Sequence, residues 1–145
     1  MTTSARRRAP VKPGYYTVPD QPSTPPQLMG TKCPQCGEAF FPKRVVCAKC
    51  MHYGCEDALL SPRGTLYSYT WVTLPLFGST EGALTNGYGV GQVDLPEGPR
   101  VQFPLSGQRD DYTVGMALDA ELVKIREDGG DDVMMYSFRP AGGAR

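Results

Sequence analysis

Apolar and polar positions change rhythm as the chain passes residue 64. Beyond it, short stretches rich in Val, Tyr, Thr and Leu are separated by Gly, Pro and Asp at the intervals of an all-β unit. The pattern predicts strands near residues 65–74, 88–94, 100–105, 119–126 and 133–139, and five strands is the count of a small OB-type barrel. In the first, Leu66, Ser68, Thr70, Val72 and Leu74 share one side of a two-residue period, and Tyr67, Tyr69, Trp71 and Thr73 the other. Both sets are substantially apolar. The strand is therefore expected to lie between the barrel interior and a second cover, either the cysteine-bearing segment or a partner subunit. Leu95-Pro96-Glu97-Gly98 reads as a turn, residues 127–132 as an acidic loop, and residues 110–116 leave room for one helical turn or a loop. Gly87-Tyr88-Gly89-Val90-Gly91 imitates a phosphate loop, but it sits inside a strand pattern with no helix after it. A bulge or a close backbone contact explains it better.

Before residue 64 the order is different. Residues 1–27 carry Pro10, Pro13, Pro19, Pro22, Pro25 and Pro26, which forbid a continuous helix. They read as an extended arm, either a solvated tail or one that orders along a partner through Tyr15, Tyr16 and Val18. Residues 28–60 hold all five cysteines and the one histidine. The expected organisation is an arm (1–27), a cysteine ribbon (28–60), an OB-fold domain (61–140) and a flexible tail (141–145). Seventeen glycines and fourteen prolines spread through 145 residues favour short strands over long helices.

Charge adds a polarity. Fifteen basic residues balance fifteen acidic ones, so the whole chain makes no electrostatic case for nucleic acid. Residues 1–50, however, hold eight basic residues against Asp20 and Glu38, a net of +6, which leaves the remainder at −6. That basic side either docks an anionic ligand or partner or is simply a basic tail beside an acidic domain. No run approaches the 18 apolar residues of a membrane span. The Arg6-Arg7-Arg8 cluster is followed by no apolar stretch before Pro13 and Gly14, so a cytoplasmic location is expected.

The cysteines carry the strongest chemical signal. Cys33 and Cys36 are two residues apart, as are Cys47 and Cys50, with ten residues between the pairs. Each C-x-x-C turn sets two thiolates about one edge of a tetrahedron apart, and two turns close a four-sulfur shell around Zn²⁺. An iron site of rubredoxin type would use the same geometry. Two disulfides would need an oxidising compartment, and a redox dithiol needs one pair rather than two framing a loop. A closed shell has no open position, so the metal is structural. Gly37 supplies the positive φ that follows such a knuckle; Met51 follows the second pair, which is expected to be less regular. Lys32, Lys43, Arg44 and Lys49 stand near enough in sequence to offset the charge of four thiolates. Cys55 and His52 are expected to be ordinary packing or surface residues. No residue pattern marks an activated nucleophile.

A four-cysteine ribbon leading into a five-stranded barrel resembles the zinc-ribbon/OB-fold proteins that accompany thiolase-like subunits in acyl-CoA metabolism. The resemblance covers roughly residues 28–140. It rests on Gly30-Thr31-Lys32-Cys33-Pro34-Gln35-Cys36-Gly37, on Phe41-Pro42-Lys43-Arg44 leading to Cys47-Ala48-Lys49-Cys50, and on Ser61-Pro62-Arg63-Gly64-Thr65-Leu66-Tyr67-Ser68-Tyr69-Thr70. Residues 88–95 and 114–122 look like the family's second and fourth strands. The resemblance implies a mainly β chain that is a non-catalytic accessory subunit. A thiolase-fold partner in the hetero-oligomer would supply the cysteine and histidines that make or break a carbon–carbon bond beside a CoA thioester, with β-ketoacyl-CoA thiolysis foremost. Many members begin with a helical segment, where this chain has its Pro-rich arm.

On that reading, Lys43 and Arg44 would meet the anionic phosphates of CoA, with Arg63 and Arg109 as more distant candidates. Trp71, Tyr69 and Phe77 would form an aromatic wall for adenine or an acyl chain, or a hot spot for the partner. Charge compensation and core packing are the plainer alternatives for both groups. The Gly-containing connection 77–84 is a candidate functional loop. The rival reading is a single-stranded nucleic-acid-binding OB protein, which the acidic barrel opposes. A free-standing enzyme would have only carboxylates and tyrosines to work with.

Overall fold

The protein's structure, a computed structural model, describes residues 7–73 and 87–142. In chain order the elements are β1 (Arg7–Pro10), β2 (Met29–Lys32), β3 (Ala39–Phe40), β4 (Glu56–Leu59), β5 (Arg63–Val72), β6 (Tyr88–Asp94), β7 (Arg100–Leu105), a 3₁₀ turn (Arg109–Asp111), β8 (Ala117–Asp128) and β9 (Asp131–Pro140). No helix among the described residues is long and apolar enough to cross a membrane.

Strands β5 to β9 close on themselves. β5, β6 and β7 form an antiparallel meander. β7 then meets β9 in parallel at Leu105 and Phe138, β9 runs antiparallel to β8, and β8 returns to β5 through Arg63–Asp119, Gly64–Leu118 and Thr65–Ala117. This is the expected closed five-stranded barrel, and it leaves few unpaired edges. Leu66, Val93, Val101, Leu105, Leu118, Tyr136 and Phe138 fill it, none more than 5% exposed. The turn at Leu95 is made as expected, with Gly98 N–H donating to the Leu95 carbonyl at 2.9 Å.

The two-sided pattern of the first barrel strand resolves differently from its alternation. The β5–β6 register shifts between Leu66 and Ser68, so that Tyr67 is an extra residue. A bulge exchanges the faces of the residues before and after it. Leu66, Tyr69 and Trp71 therefore all pack on the barrel core, while Tyr67 is left outside under the Arg100 guanidinium, 3.4 Å from its ring centroid. Residues of both parities, Leu66 before the bulge and Tyr69 and Trp71 after it, thus reach the same side.

The glycines of β6 explain their own spacing. Gly89 lies opposite Trp71, and Gly91 opposite Tyr69. A Cβ on Gly91 would lie 2.8 Å from Leu105 Cδ2. These are close-approach positions, as the strand context predicted, and they have no phosphate-loop geometry.

Residues 7–27 run along the chain's own barrel. β1 pairs in parallel with β9, Arg7 beside Asp131 and Arg8 beside Asp132, so the basic start of the arm meets an acidic hairpin. Tyr16 is buried; its hydroxyl donates to the Met134 carbonyl at 2.6 Å and accepts from Val11 N–H at 3.0 Å. β3, β2 and β4 form a separate three-stranded sheet that carries the cysteines. Phe41 joins it to the barrel, its ring centroid 6.0 Å from Phe103.

Candidate metal centre and interaction surface

Each cysteine pair sits on a tight turn held by the same two backbone hydrogen bonds. In the first, Gly37 N–H donates to the Cys33 carbonyl and Cys33 N–H to the Glu38 carbonyl, both at 2.9 Å; in the second, Met51 N–H donates to Cys47 and Cys47 N–H to His52, again at 2.9 Å. Gly37 has φ 83° and Met51 φ 68°. The second knuckle is therefore as regular as the first, contrary to the expectation drawn from its missing glycine. Met51 adopts the left-handed conformation that glycine adopts freely, because the turn's hydrogen bonds require it.

The four sulfurs converge. All lie within 4.8 Å of one another, and the Cys33–Cys50 and Cys36–Cys47 separations are both 3.6 Å. A tetrahedral Zn²⁺ with Zn–S bonds of about 2.3 Å implies sulfur–sulfur edges of about 3.8 Å, so the residues fit the ion. Neither His52 nor Cys55 belongs to this group of ligands. Lys49 and Cys50 N–H both point at Cys47 Sγ, at 3.3 Å. Burial pushes the Cys47 thiol up, but these donors outweigh it and bring it down to about 6. At Cys50 the His52 N–H pulls down, while burial and the neighbouring sulfurs push harder and raise it to about 12. A cluster of this kind holds protons on some sulfurs until a cation replaces them.

Two of the four basic residues expected around the metal are engaged with carboxylates. Lys49 Nζ is 3.7 Å from Glu38, and Lys43 Nζ is 3.3 Å from Asp57. Lys43 also borders two shallow surface hollows, one lined by Met29, Asp57 and Leu59 and the other by Tyr15, Met29 and Pro42. Arg44 anchors the loop through its backbone N–H to Thr31 Oγ1 at 3.0 Å, and its guanidinium lies against the Phe40 ring. Trp71 is in the barrel, its ring 6.2 Å from Tyr112, and Arg63 is paired with Asp119 at 2.8 Å. Lys43 and Arg44 thus lie on the ribbon, and Trp71 lies in the barrel. Phe77 and the connection 77–84 lie outside the described residues.

One feature was hidden in the sequence. Val45, Met51 and Tyr53 are 58%, 72% and 76% exposed, all on the second knuckle's hairpin. The only local signal was a methionine where the first knuckle has glycine.

Two family descriptions match. The rubredoxin-like zinc ribbon domain of ChsH2 matches residues 25–52, and the C-terminal OB-fold domain of ChsH2 matches residues 58–123. A DUF35 domain-containing scaffold protein of Methanothermobacter thermautotrophicus is 34% identical over 114 residues, covering 77% of this chain and 84% of that protein. The chain belongs to the DUF35 family. Another relative is the benzoylsuccinyl-CoA thiolase subunit BbsA of Thauera aromatica, 30% identical over 115 residues and covering 79% of this chain and 76% of its own. Among solved structures, the Ltp2-ChsH2(DUF35) aldolase superposes with a TM-score of 0.62 at 25% identity, over 79% of this chain and 85% of that one. As a DUF35 protein the chain is a four-cysteine zinc ribbon followed by a closed OB barrel, homologous to partner subunits of thiolase and aldolase enzymes.

Proposed function

We propose that this chain is the non-catalytic zinc-ribbon/OB-fold subunit of a cytoplasmic thiolase-type complex acting on a CoA thioester. Its role is to pack on the catalytic chain and help shape the acyl-CoA site, with β-ketoacyl-CoA thiolysis the foremost reaction. The observation that carries this reading is that ribbon and barrel together, over 115 residues, align with a thiolase subunit. Zinc supplies rigidity: four cysteines hold it in a closed shell, and this chain's residues shape a surface rather than a reaction centre. Lys43 and Arg44 are assigned to the CoA phosphates, and Trp71 and Phe77 to an aromatic contact. The Lys43–Asp57 pair is exposed and weak enough to exchange for a phosphate.

The test is native purification through a tag on this chain, with mass spectrometry of what co-elutes and an absorbance ratio for nucleic acid. A stoichiometric chain bearing thiolase-type cysteine and histidines, with CoA-thioester turnover by the complex and none by the isolated subunit, is the expected result. Co-eluting nucleic acid without such a chain, or turnover by this chain alone, overturns the reading.

A further inference from the structure

Between the arm and strands β8 and β9 lies a hollow of about 200 Å³. The arm lines it with Arg8, Ser23 and Thr24 and the barrel with Glu121 and Arg139, so its charged lining is two guanidinium groups against one carboxylate. The acids next to it are engaged elsewhere. Asp119, opposite Arg139 in the β8–β9 register, lies 2.8 Å from Arg63 Nε, and Asp132, beside Arg8, lies 3.5 Å from Lys124 Nζ. Glu121 is divided between two neighbours: one oxygen accepts from the Ser106 hydroxyl, and the other stands 3.6 Å from Arg139 Nη1, longer than a hydrogen bond. Arg8 donates to the Pro19 carbonyl, a neutral acceptor. Each guanidinium therefore carries more N–H donors than these contacts use. Ser23 and Thr24 add exposed hydroxyls. Their loop is held by Thr24 N–H donating to the Gln21 carbonyl at 3.0 Å, and by the restricted backbone of Pro22, Pro25 and Pro26 on either side.

We propose that this hollow binds a phosphate group, held between Arg8 on the arm and Arg139 on the barrel, with the Ser23 and Thr24 hydroxyls donating to it. A carboxylate offers its oxygens in one plane, whereas a phosphate offers them in several directions and can be shared by donors from two separate walls. Volume narrows the ligand further. Sites for whole small molecules run to about 300–1,000 Å³, so this one takes a head group alone: inorganic phosphate, or the monoester end of a molecule whose remainder stays in solvent. Phosphate held there ties the arm to the barrel, and its binding stabilises the seated arm. The site goes beyond the accessory-subunit reading, since none of its residues is assigned to the metal or to CoA.

The experiment titrates the zinc-loaded full chain with inorganic phosphate, exchanged against chloride at constant ionic strength. Calorimetry measures binding, and thermal melts without phosphate check that each variant is folded. A parallel titration uses phenyl phosphate as the monoester. Saturable binding with a rise in melting temperature is expected. Arg8→Gln and Arg139→Gln each weaken it at least about tenfold. Thr24→Ala, in an exposed loop, weakens it about threefold, and Glu121→Gln tightens it about threefold by removing a like charge. Arg126→Gln, the same charge change further along β8, leaves it unchanged. Equal affinity for phenyl phosphate identifies the end of a larger ligand, and binding of inorganic phosphate alone identifies the free ion; both support the site. No saturation of the wild type at millimolar phosphate, or unchanged affinity in both arginine variants, overturns the site and leaves the accessory reading standing.

Discussion

Trp71 and Gly89 occupy one space in the barrel. They are opposite each other in the β5–β6 register, and a Cβ built on Gly89 would lie 2.6 Å from Cε3 of the indole. Gly89→Ala is therefore expected to destabilise the protein by about 1–3 kcal/mol through overpacking. Trp71→Leu in the same chain should restore part of the loss. Urea unfolding of the two single variants and the double variant measures this coupling. Trp71 is the one tryptophan, so in Gly89→Ala its emission should shift to longer wavelength as the ring is pushed outward.

Such a contact was legible in part. The glycines inside a strand pattern announced a close approach, because a strand tolerates glycine where something must come near. The bulge at Tyr67 was not legible, since it is set by how many apolar side chains the barrel must hold and not by any local period. The four sulfurs were readable because their geometry depends on spacings of a few residues. The docking of Tyr16 under Met134 was not, because its partner lies more than a hundred residues away and Tyr16 itself sits in a proline-rich segment.

Zinc should be inseparable from the ribbon's order. Cys33 is fully buried and one of its sulfur neighbours lies at 3.6 Å. Cys33→Ser is expected to abolish stoichiometric zinc, since structural sites of this kind contribute about 10 kcal/mol or more to folding. Metal analysis and a thermal melt check it. A Cys33→Ser protein with one zinc per chain and an unchanged melt would refute a structural metal.

Two buried tyrosines should respond oppositely to loss of their hydroxyls. Tyr112 donates to the Ser106 carbonyl, so Tyr112→Phe should cost about 1 kcal/mol. The hydroxyl of Tyr136 is buried and has no hydrogen-bond partner among the described residues, and Tyr136→Phe should be neutral or stabilising by about 1 kcal/mol. Chemical denaturation of both variants decides the point.

Alkaline pH should weaken the barrel. Burial pushes the Tyr112 phenol up to about 12, outweighing the pull of the Ser106 side-chain hydroxyl, and burial raises Tyr136 as well. The native state then holds protons that the unfolded chain releases near pH 10. This stabilisation is complete below pH 10 and is lost as pH rises from there through about 12. Denaturation midpoints between pH 8 and 11 should fall at the upper end, and less steeply in Tyr112→Phe.

The parallel pairing of β1 with β9 joins an early segment of the chain to the last strand of the barrel, Arg7 beside Asp131. During synthesis the ribbon can close around its metal while most of the barrel is still unmade, because its ligands span only residues 33–50. The arm cannot take its place in the sheet until β9 has been made. Such long-range closure makes the barrel the slow step of folding, and until β9 arrives the apolar faces of β5 and β6 and the arm's Tyr16 wait exposed together. The arm's pairing therefore depends on the strand of the barrel that lies furthest from it along the chain.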